Sequence, residues 1–386
     1  MRAMKTSRMS TACLAVVLFT ACSSQVATES TATLTAEPAT TAAPQATVVS
    51  ETTVVSETTV VSETTVVSET TVVSDTTVVS DTTVVSDTTV ATAILSGIAA
   101  TGDVIDSTLV TADGRTRVYR TYIPSNLPDG PVPVLLAFHG GTGWGKQFER
   151  NSGFDELAEA NGFLVVYPDG IGTGADETTN RTWNGGECCG AAARNNVDDV
   201  AFVARLLDTL EADYDIDTTR VFAAGHSNGG ILSYRLACEL SDRIVAVGLQ
   251  AGTLGVDDCS PSRPVSLLHI HGEADRNLPI DGGVGPDSIA GVDFTSPRLA
   301  VQTFAVADGC AADPIVTDDA ANADLTISTW SGCDGAAEVR FVAVAGAAHS
   351  WMGHVASNPT ALPAYQGVDA SYEIVAFLLT HPRTAA

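Results

Sequence analysis

The rhythm of apolar and polar positions changes several times along the chain. From Leu109 to Ile123 the two alternate on either side of Ala112-Asp113-Gly114, which predicts a β-hairpin closed by a short turn. Pro133 to Phe138 and Gly162 to Tyr167 are instead short, continuous apolar runs, as expected of parallel strands covered on both faces. A helical stretch from Phe154 to Ala160 separates them. Helical spacing returns in Asp198 to Leu210, where Val200, Val203, Leu207 and Leu210 recur every three or four residues. A strand over Arg220 to Ala224 and a helix over Ile231 to Leu240 follow. Further strands are predicted over Pro264 to Ile270, Leu325 to Trp330 and Val339 to Val344, and a last helix over Tyr372 to Leu379. Strands alternating with helices predict an α/β fold with a mostly parallel sheet flanked by helices.

The first 95 residues read differently. Arg2, Lys5 and Arg8 precede the apolar run Cys13 to Phe19 and then Thr20-Ala21-Cys22, the order of an export signal, and the run is too short to span a bilayer. Small residues before Cys22 are similar to a bacterial lipobox, so residues 1–22 are expected to be a lipoprotein-type signal with Cys22 as the lipid attachment site; an ordinary secretory signal is the alternative. Phe19 stands where such boxes usually carry Leu. Residues 23–95 are rich in Thr, Val and Ser, and residues 50–91 hold a six-residue unit, SETTVV passing into SDTTVV, seven times, the last copy ending in Ala91. Six is a multiple of two, so a strand of this sequence would present mixed side chains on both faces and no one-sided surface to bury. The expectation is a disordered tether, with a left-handed β-helix as the alternative, although glycine and large aliphatic residues are missing from the units. Flexible coil of that length sets the domain on the order of 50 Å from its anchor. Residues 96–386 then form one domain of about 290 residues.

Charge narrows the partners. Lys and Arg number 19 against 46 Asp and Glu, a formal net charge of −27, which repels phosphate backbones and anionic lipid surfaces. No nucleic acid is expected, membrane contact only through a lipid anchor, and a monomer outside the cytoplasm.

Candidate chemistry gathers at the carboxyl ends of the predicted parallel strands, where this sheet type places its sites. Val221 to Gly230 reads as strand, then Gly-x-Ser-x-Gly, then helix, and the small residues Gly225, Gly229 and Gly230 are what a tight nucleophile turn requires. Ser227 is therefore the candidate nucleophile. A serine hydroxyl needs a base, and in this fold the acid and then the histidine follow it along the chain. His349, after the strand Val339 to Val344 and a loop of small residues, is the expected base, ahead of His354 and His381. Asp275, just past the strand ending at Ile270, is the expected acid, with Glu273 and Asp281 as alternatives. Negative charge developing on the substrate oxygen calls for amide donors, and the backbone N–H groups of Asn228 and Gly141 are the candidates for this oxyanion hole. The other histidines, 139, 226, 269 and 271, are expected to be packed or hydrogen-bonded; Asp198 and Asp199 open a helix and are expected to cap it and complement its dipole.

These residues together resemble the secreted polyhydroxybutyrate depolymerases and feruloyl esterases, of the carbohydrate esterase family one type, over about residues 104–380. The resemblance is carried by Asp113-Gly114-Arg115 with Tyr119, His139-Gly140-Gly141, Cys188-Cys189-Gly190 before Val197 to Phe202, Gly225 to Gly230, His271 to Asp275, Gly309-Cys310, Gly332-Cys333 and His349-Ser350-Trp351. Gly141 stands where a cysteine is frequent and Met352 where proline is frequent. The resemblance implies an α/β-hydrolase fold, a serine carboxylic ester hydrolase working through an acyl-enzyme, Ser227, Asp275 and His349 as its triad, and no cofactor or metal. It also implies a Cys310–Cys333 disulfide. Cys238 with Cys259 is then the next expected pair, leaving Cys188 and Cys189 as a vicinal disulfide or free thiols; a zinc site lacks paired C-x-x-C units.

Trp351, Trp183 and Trp144 are expected to wall a substrate pocket, with partly buried anchors for long loops as the alternative, for Trp183 above all. No connecting loop has an apolar run suited to a lid for long acyl chains, and no polymer-binding domain follows the last helix, so feruloylated or acetylated saccharides and short hydroxyalkanoate oligomers are the expected substrates. A surface-tethered binding or adhesion protein with an inactive hydrolase domain, or a serine peptidase of the same fold, are the alternatives.

Overall fold

The computed structural model describes residues 99–355 and 362–383. The readings of the signal, of Cys22 and of the repeats fall outside the described residues.

Among the described residues twelve strands and seven α-helices follow one another: β1 (Asp103–Val110), β2 (Thr116–Ile123), β3 (Val132–Phe138), α1 (Gly145–Ser152), α2 (Phe154–Asn161), β4 (Leu164–Pro168), β5 (Ile171–Thr173), β6 (Thr179–Thr182), α3 (Gly190–Arg194), α4 (Asp199–Asp213), β7 (Ile216–His226), α5 (Asn228–Glu239), β8 (Ala246–Gln250), β9 (Ser266–Gly272), α6 (Pro297–Ala307), β10 (Ile315–Asp318), β11 (Leu325–Trp330), β12 (Val339–Val344) and α7 (Ala370–Thr380). Ten of the strands form one sheet in the order β1-β2-β4-β3-β7-β8-β9-β12-β11-β10. The central six, β4 to β12, run parallel, and antiparallel pairs close both edges. This is the mostly parallel, helix-flanked α/β-hydrolase architecture.

The continuous apolar runs are explained by the two faces they serve. Val134, Leu136 and Phe138 of β3 join one core with the buried faces of α4, α5 and α6, while Leu135 and Ala137 join the other with α1, α2 and α7. Side chains alternate across a strand, so a sheet covered on both sides requires apolar residues at every position. The β1–β2 hairpin pairs Leu109 with Arg117 and Val110 with Thr116 across the predicted turn.

Several boundaries differ from the sequence expectation. β7 begins at Ile216 rather than Arg220, and α4 continues to Asp213. Helix α5 begins at Asn228, directly after Ser227, rather than at Ile231. Helix α1 has polar residues throughout apart from Phe148, so its periodicity was too weak to read. Asp198 does cap α4, accepting from the Ala201 N–H at 2.9 Å. Asp199 corrects the capping expectation: it is fully buried and forms an ion pair at 2.8 Å with Arg117 of β2. Disulfides join Cys310 to Cys333, Cys238 to Cys259 and Cys188 to Cys189.

Candidate active site

Strand β7 delivers the chain to a sharp turn into α5, and Ser227 occupies that turn with φ +53° and ψ −119°. A positive φ is costly for a residue with a Cβ and persists only where the surroundings enforce it. They do so here through glycines. A Cβ on Gly225 would overlap the Gly229 carbonyl carbon, and one on Gly229 the Phe138 carbonyl oxygen, so the elbow and the end of β3 approach more closely than any other residue type permits. The Ser227 N–H donates to the Gln250 carbonyl at 2.9 Å, and its half-buried hydroxyl faces the base.

The residue it faces is His349, the expected base. Its Nε2 lies 2.9 Å from Ser227 Oγ and its Nδ1 2.7 Å from Asp275 Oδ2. Asp275 Oδ1 accepts the backbone N–H groups of Asn277 at 2.8 Å and Leu278 at 2.9 Å. Burial raises the Asp275 carboxyl, but the hydrogen bond and charge of His349 and these donors outweigh it, and the group ends below its usual range. Backbone bonds from Glu273 to Val344 at 3.0 Å and from Ala274 to Ala347 at 2.9 Å stitch the acid turn to the base loop. Ser227, His349 and Asp275 thus lie in one hydrogen-bonded line, an arrangement able to take a proton off the serine hydroxyl. Glu273 instead pairs with Arg298, Asp281 is exposed, His354 pairs with Asp369 and His381 packs on Phe377.

Beside the elbow runs the loop after β3. Gly141 lies next to Asn228: a Cβ on it would stand 3.7 Å from the Asn228 Cβ, in ordinary contact. The Asn228 N–H, in the first turn of α5, has no intrahelical acceptor and is available to an oxygen. The Asn228 side chain is otherwise engaged: its Oδ1 accepts the Trp183 N–H at 2.7 Å and its Nδ2 donates to the Trp183 carbonyl at 3.0 Å. Trp183 Nε1 donates to the His139 carbonyl at 2.9 Å, tying the same segment to the Gly140-Gly141 loop. The Gly170 N–H donates to His139 Nε2, so Nδ1 carries the proton and donates to Gly140 O at 2.8 Å. Burial pushes His139 down to about 4, which keeps the ring neutral.

Comparison with known proteins bears on what this arrangement does. The family model described as "Putative esterase" matches residues 111–284. Feruloyl esterase C of Emericella nidulans is 30% identical over 225 residues, covering 56% of this chain and 71% of that protein. The chain belongs to the feruloyl esterase-like family of carboxylic ester hydrolases. It is also 28% identical over 237 residues to the bifunctional acetylxylan esterase/xylanase XynS20E of Neocallimastix patriciarum, and 26% identical over 229 residues to feruloyl esterase B of Piromyces equi. Those matches cover 61% and 58% of this chain, but the chain spans only 31% and 40% of the length of those two relatives.

In this esterase two of the three tryptophans do not stand where the sequence suggested. Trp183 is 0% exposed, edge-on to Phe138 beneath the elbow, and Trp351 is 6% exposed. Trp351 packs edge-to-face on Phe148 and Phe154, and its Nε1 donates to Ser371 Oγ at 2.9 Å. Neither can wall an open pocket; both are anchors, one for the Asn228 segment and one for the His349 loop. Trp144, at 38% exposed and flanking α1 just after the Gly140-Gly141 loop, remains free to meet a ligand.

Two further residues hold the His349 loop: His226, expected from sequence to be packed or hydrogen-bonded, and Gln250, which escaped the sequence reading. The His226 Nε2 lies 2.7 Å from the His349 carbonyl and donates to it. Gln250, fully buried at the end of β8, donates from Nε2 to the Ser350 carbonyl at 2.9 Å and accepts the Met352 N–H on Oε1 at 2.8 Å. The signal for Gln250 was a lone amide closing the apolar run Ala246 to Leu249, at the sheet end where a site was already expected.

Proposed function

We propose that this chain is a serine carboxylic ester hydrolase working through an acyl-enzyme, with Ser227 as nucleophile, His349 as general base and acid, and Asp275 as the group that orients and charge-balances His349. The observation that carries this is the continuous path from Ser227 Oγ to His349 Nε2, 2.9 Å, and from His349 Nδ1 to Asp275 Oδ2, 2.7 Å, built on an elbow with φ +53°.

Ser227 Oγ attacks the ester carbonyl carbon while its proton passes to His349 Nε2. The carbonyl oxygen becomes an oxyanion, received by the N–H groups of Asn228 and Gly141; removing one such donor typically costs about 10²–10³ in rate. Collapse breaks the bond to the alcohol oxygen, which takes the proton from His349 and leaves an acyl-Ser227. Water, deprotonated by His349, repeats the attack, releasing the acid and restoring the serine. Asp275 stays ionised throughout, holding the proton-bearing Nδ1 towards itself.

The substrates in this reading are esters of aromatic or short hydroxy acids: feruloylated or acetylated saccharides, or hydroxyalkanoate oligomers. The names of the relatives, feruloyl and acetylxylan esterases, support the saccharide esters. Exposed Trp144 offers a flat apolar wall to a feruloyl ring or a sugar. Hydrolysis rates for methyl ferulate, acetylated xylan, hydroxybutyrate oligomers and long-chain p-nitrophenyl esters test it. Turnover of the short and aromatic esters, absent in Ser227→Ala, is expected; a preference for long chains, or full turnover by Ser227→Ala, would overturn it. Export with lipid on Cys22 belongs to the same reading, and Cys22→Ala is expected to move the protein from the membrane fraction to the medium. Equal release of both forms would leave an ordinary secretory signal.

A further inference from the structure

Next to Asp275, three polar side chains lie in the core in a single hydrogen-bonded row. Tyr234 of α5 and His269 and His271 of β9 are all 0% exposed. Tyr234 Oη lies 3.0 Å from His269 Nδ1, His269 Nε2 lies 3.1 Å from His271 Nδ1, and His271 Nε2 lies 2.9 Å from the Leu278 carbonyl. His271 Nε2 is also 3.6 Å from Asp275 Oδ2. We propose that His271 is a positioning residue for the acid: it holds the turn that presents Asp275 to His349, and His269 and Tyr234 fix the tautomer in which it does so. The proposal rests on the triad reading above.

The direction of every bond in the row follows from its end. A carbonyl oxygen only accepts, so His271 Nε2 carries the proton and donates to Leu278. Burial holds both rings neutral, pushing His271 down to about 4 and His269 well below its usual value. A neutral His271 protonated on Nε2 must accept on Nδ1, so His269 donates from its own Nε2. His269 in turn accepts on Nδ1, and Tyr234, whose hydroxyl burial keeps protonated, donates to it.

The receiving peptide is the one that holds the carboxylate. Leu278 donates its N–H to Asp275 Oδ1 and accepts from His271 at its carbonyl, so it is fixed at both ends between the row and the acid. His271 Nε2 also stands 3.6 Å from the carboxylate oxygen that His349 engages. Burying three polar side chains is unfavourable unless each is paired, and apolar residues of similar size would fill the same space without that cost. What an apolar residue could not do is hold the Leu278 carbonyl.

Kinetics per active site separate positioning from packing. The full chain and its variants are labelled to end point with a fluorophosphonate to count intact Ser227 sites, and kcat and KM are measured on p-nitrophenyl acetate. His271→Leu is expected to lower kcat per labelled site roughly tenfold, the size of one net hydrogen bond, with KM within about twofold. His271→Gln, whose side-chain amide can still donate to Leu278, is expected to recover most of that loss. Tyr234→Phe, which frees the His269 tautomer, is expected to lower kcat about threefold at unchanged KM and carries the test if His271→Leu does not fold. Unchanged kcat per labelled site in these variants, with only the melting temperature lowered, would make the row a packing feature and overturn the proposal. A Gln variant no better than Leu would do the same. Failure of the triad reading is distinguishable, because the wild type would then not label at Ser227 at all.

Discussion

Arg117 and Asp199 form an ion pair whose side chains are 1% and 0% exposed, and its removal one partner at a time should cost far more than a surface pair. Arg117 Nη2 donates to Asp199 Oδ1 at 2.8 Å and to the Asp169 carbonyl at 3.1 Å, and its guanidinium stacks 3.8 Å from the Phe202 ring centre. Asp199 Oδ2 accepts the Asn184 N–H at 2.8 Å, and the neighbouring Trp183 peptide is the one gripped by Asn228. Burial raises the Asp199 carboxyl, opposed chiefly by Arg117, so Arg117→Met leaves a carboxylate in the core with its main counter-charge gone. Breaking a buried pair this way costs about 3–5 kcal/mol. Asp199→Asn strands the guanidinium and should cost a similar amount while still accepting from Asn184. The double variant removes both charges, so its loss should be no larger than either single loss, a coupling energy of about 3 kcal/mol. Urea unfolding followed by circular dichroism at pH 7 measures all four forms. Loss of kcat should accompany Arg117→Met, where the carboxylate without its counter-charge shifts and loosens the Asn184-Trp183 segment that grips Asn228, whereas Asp199→Asn, which keeps the Asn184 bond, should retain most of it. Single losses below about 1 kcal/mol, the range of exposed pairs, or strictly additive ones, would refute the reasoning.

Three further outcomes follow from the same structure. Burial pushes Asp308 up to about 7, with its oxygens accepting the Val265 N–H at 3.1 and 3.2 Å. The folded protein therefore holds this proton more tightly than the unfolded chain, and stability is lost as pH rises from about 4 to 7; Asp308→Asn should flatten that dependence and add up to about 4 kcal/mol at pH 8, read by urea unfolding across pH, whereas an unchanged slope would show that Asp308 ionises normally. Trp144→Ala should raise KM for methyl ferulate several-fold, by about 1 kcal/mol of lost aromatic contact, while leaving p-nitrophenyl acetate almost unaffected; equal effects on both would remove Trp144 from the acyl site. Replacing both Cys310 and Cys333, which close a separation of 23 residues, by Ser should cost roughly 3 kcal/mol in unfolding experiments, and a change below about 1 kcal/mol would show that the loop is held by other contacts.

The parts of this fold that sequence made legible are those with one periodicity and one environment. Strands β3 and β4 are apolar at every position because both faces of the sheet are covered, and that pattern is visible in Pro133 to Phe138 without any structure. The elbow was visible because only glycine tolerates the approach of Gly229 to Phe138, so the spacing around Ser227 was itself a structural constraint. Asp275 and His349 were reached through strand ends and chain order, and they meet at 2.7 Å although 74 residues separate them. Tryptophan left two readings open, since Trp183 and Trp351 have the same composition signal whether they line a pocket or anchor a loop, and tertiary packing alone decides. The same holds for Asp199, which opens a helix as a dipole partner would but faces Arg117 from a distant strand. Gln250, His226 and the row from Tyr234 to His271 act through backbone carbonyls and N–H groups far along the chain, and such partners leave no mark in sequence spacing.

The central claim is that Ser227 becomes covalently acylated, and peptide mass mapping after reaction tests it most directly. The protein is incubated with an alkyl fluorophosphonate, digested and sequenced by mass spectrometry, with Ser227→Ala and His349→Ala treated in parallel. One phosphonyl group on the peptide holding Gly225 to Gly230, assigned to Ser227, is the predicted result, with no adduct in Ser227→Ala and labelling slowed by several powers of ten in His349→Ala. An adduct on another residue, or labelling of wild type and His349→Ala at the same rate, would contradict the account.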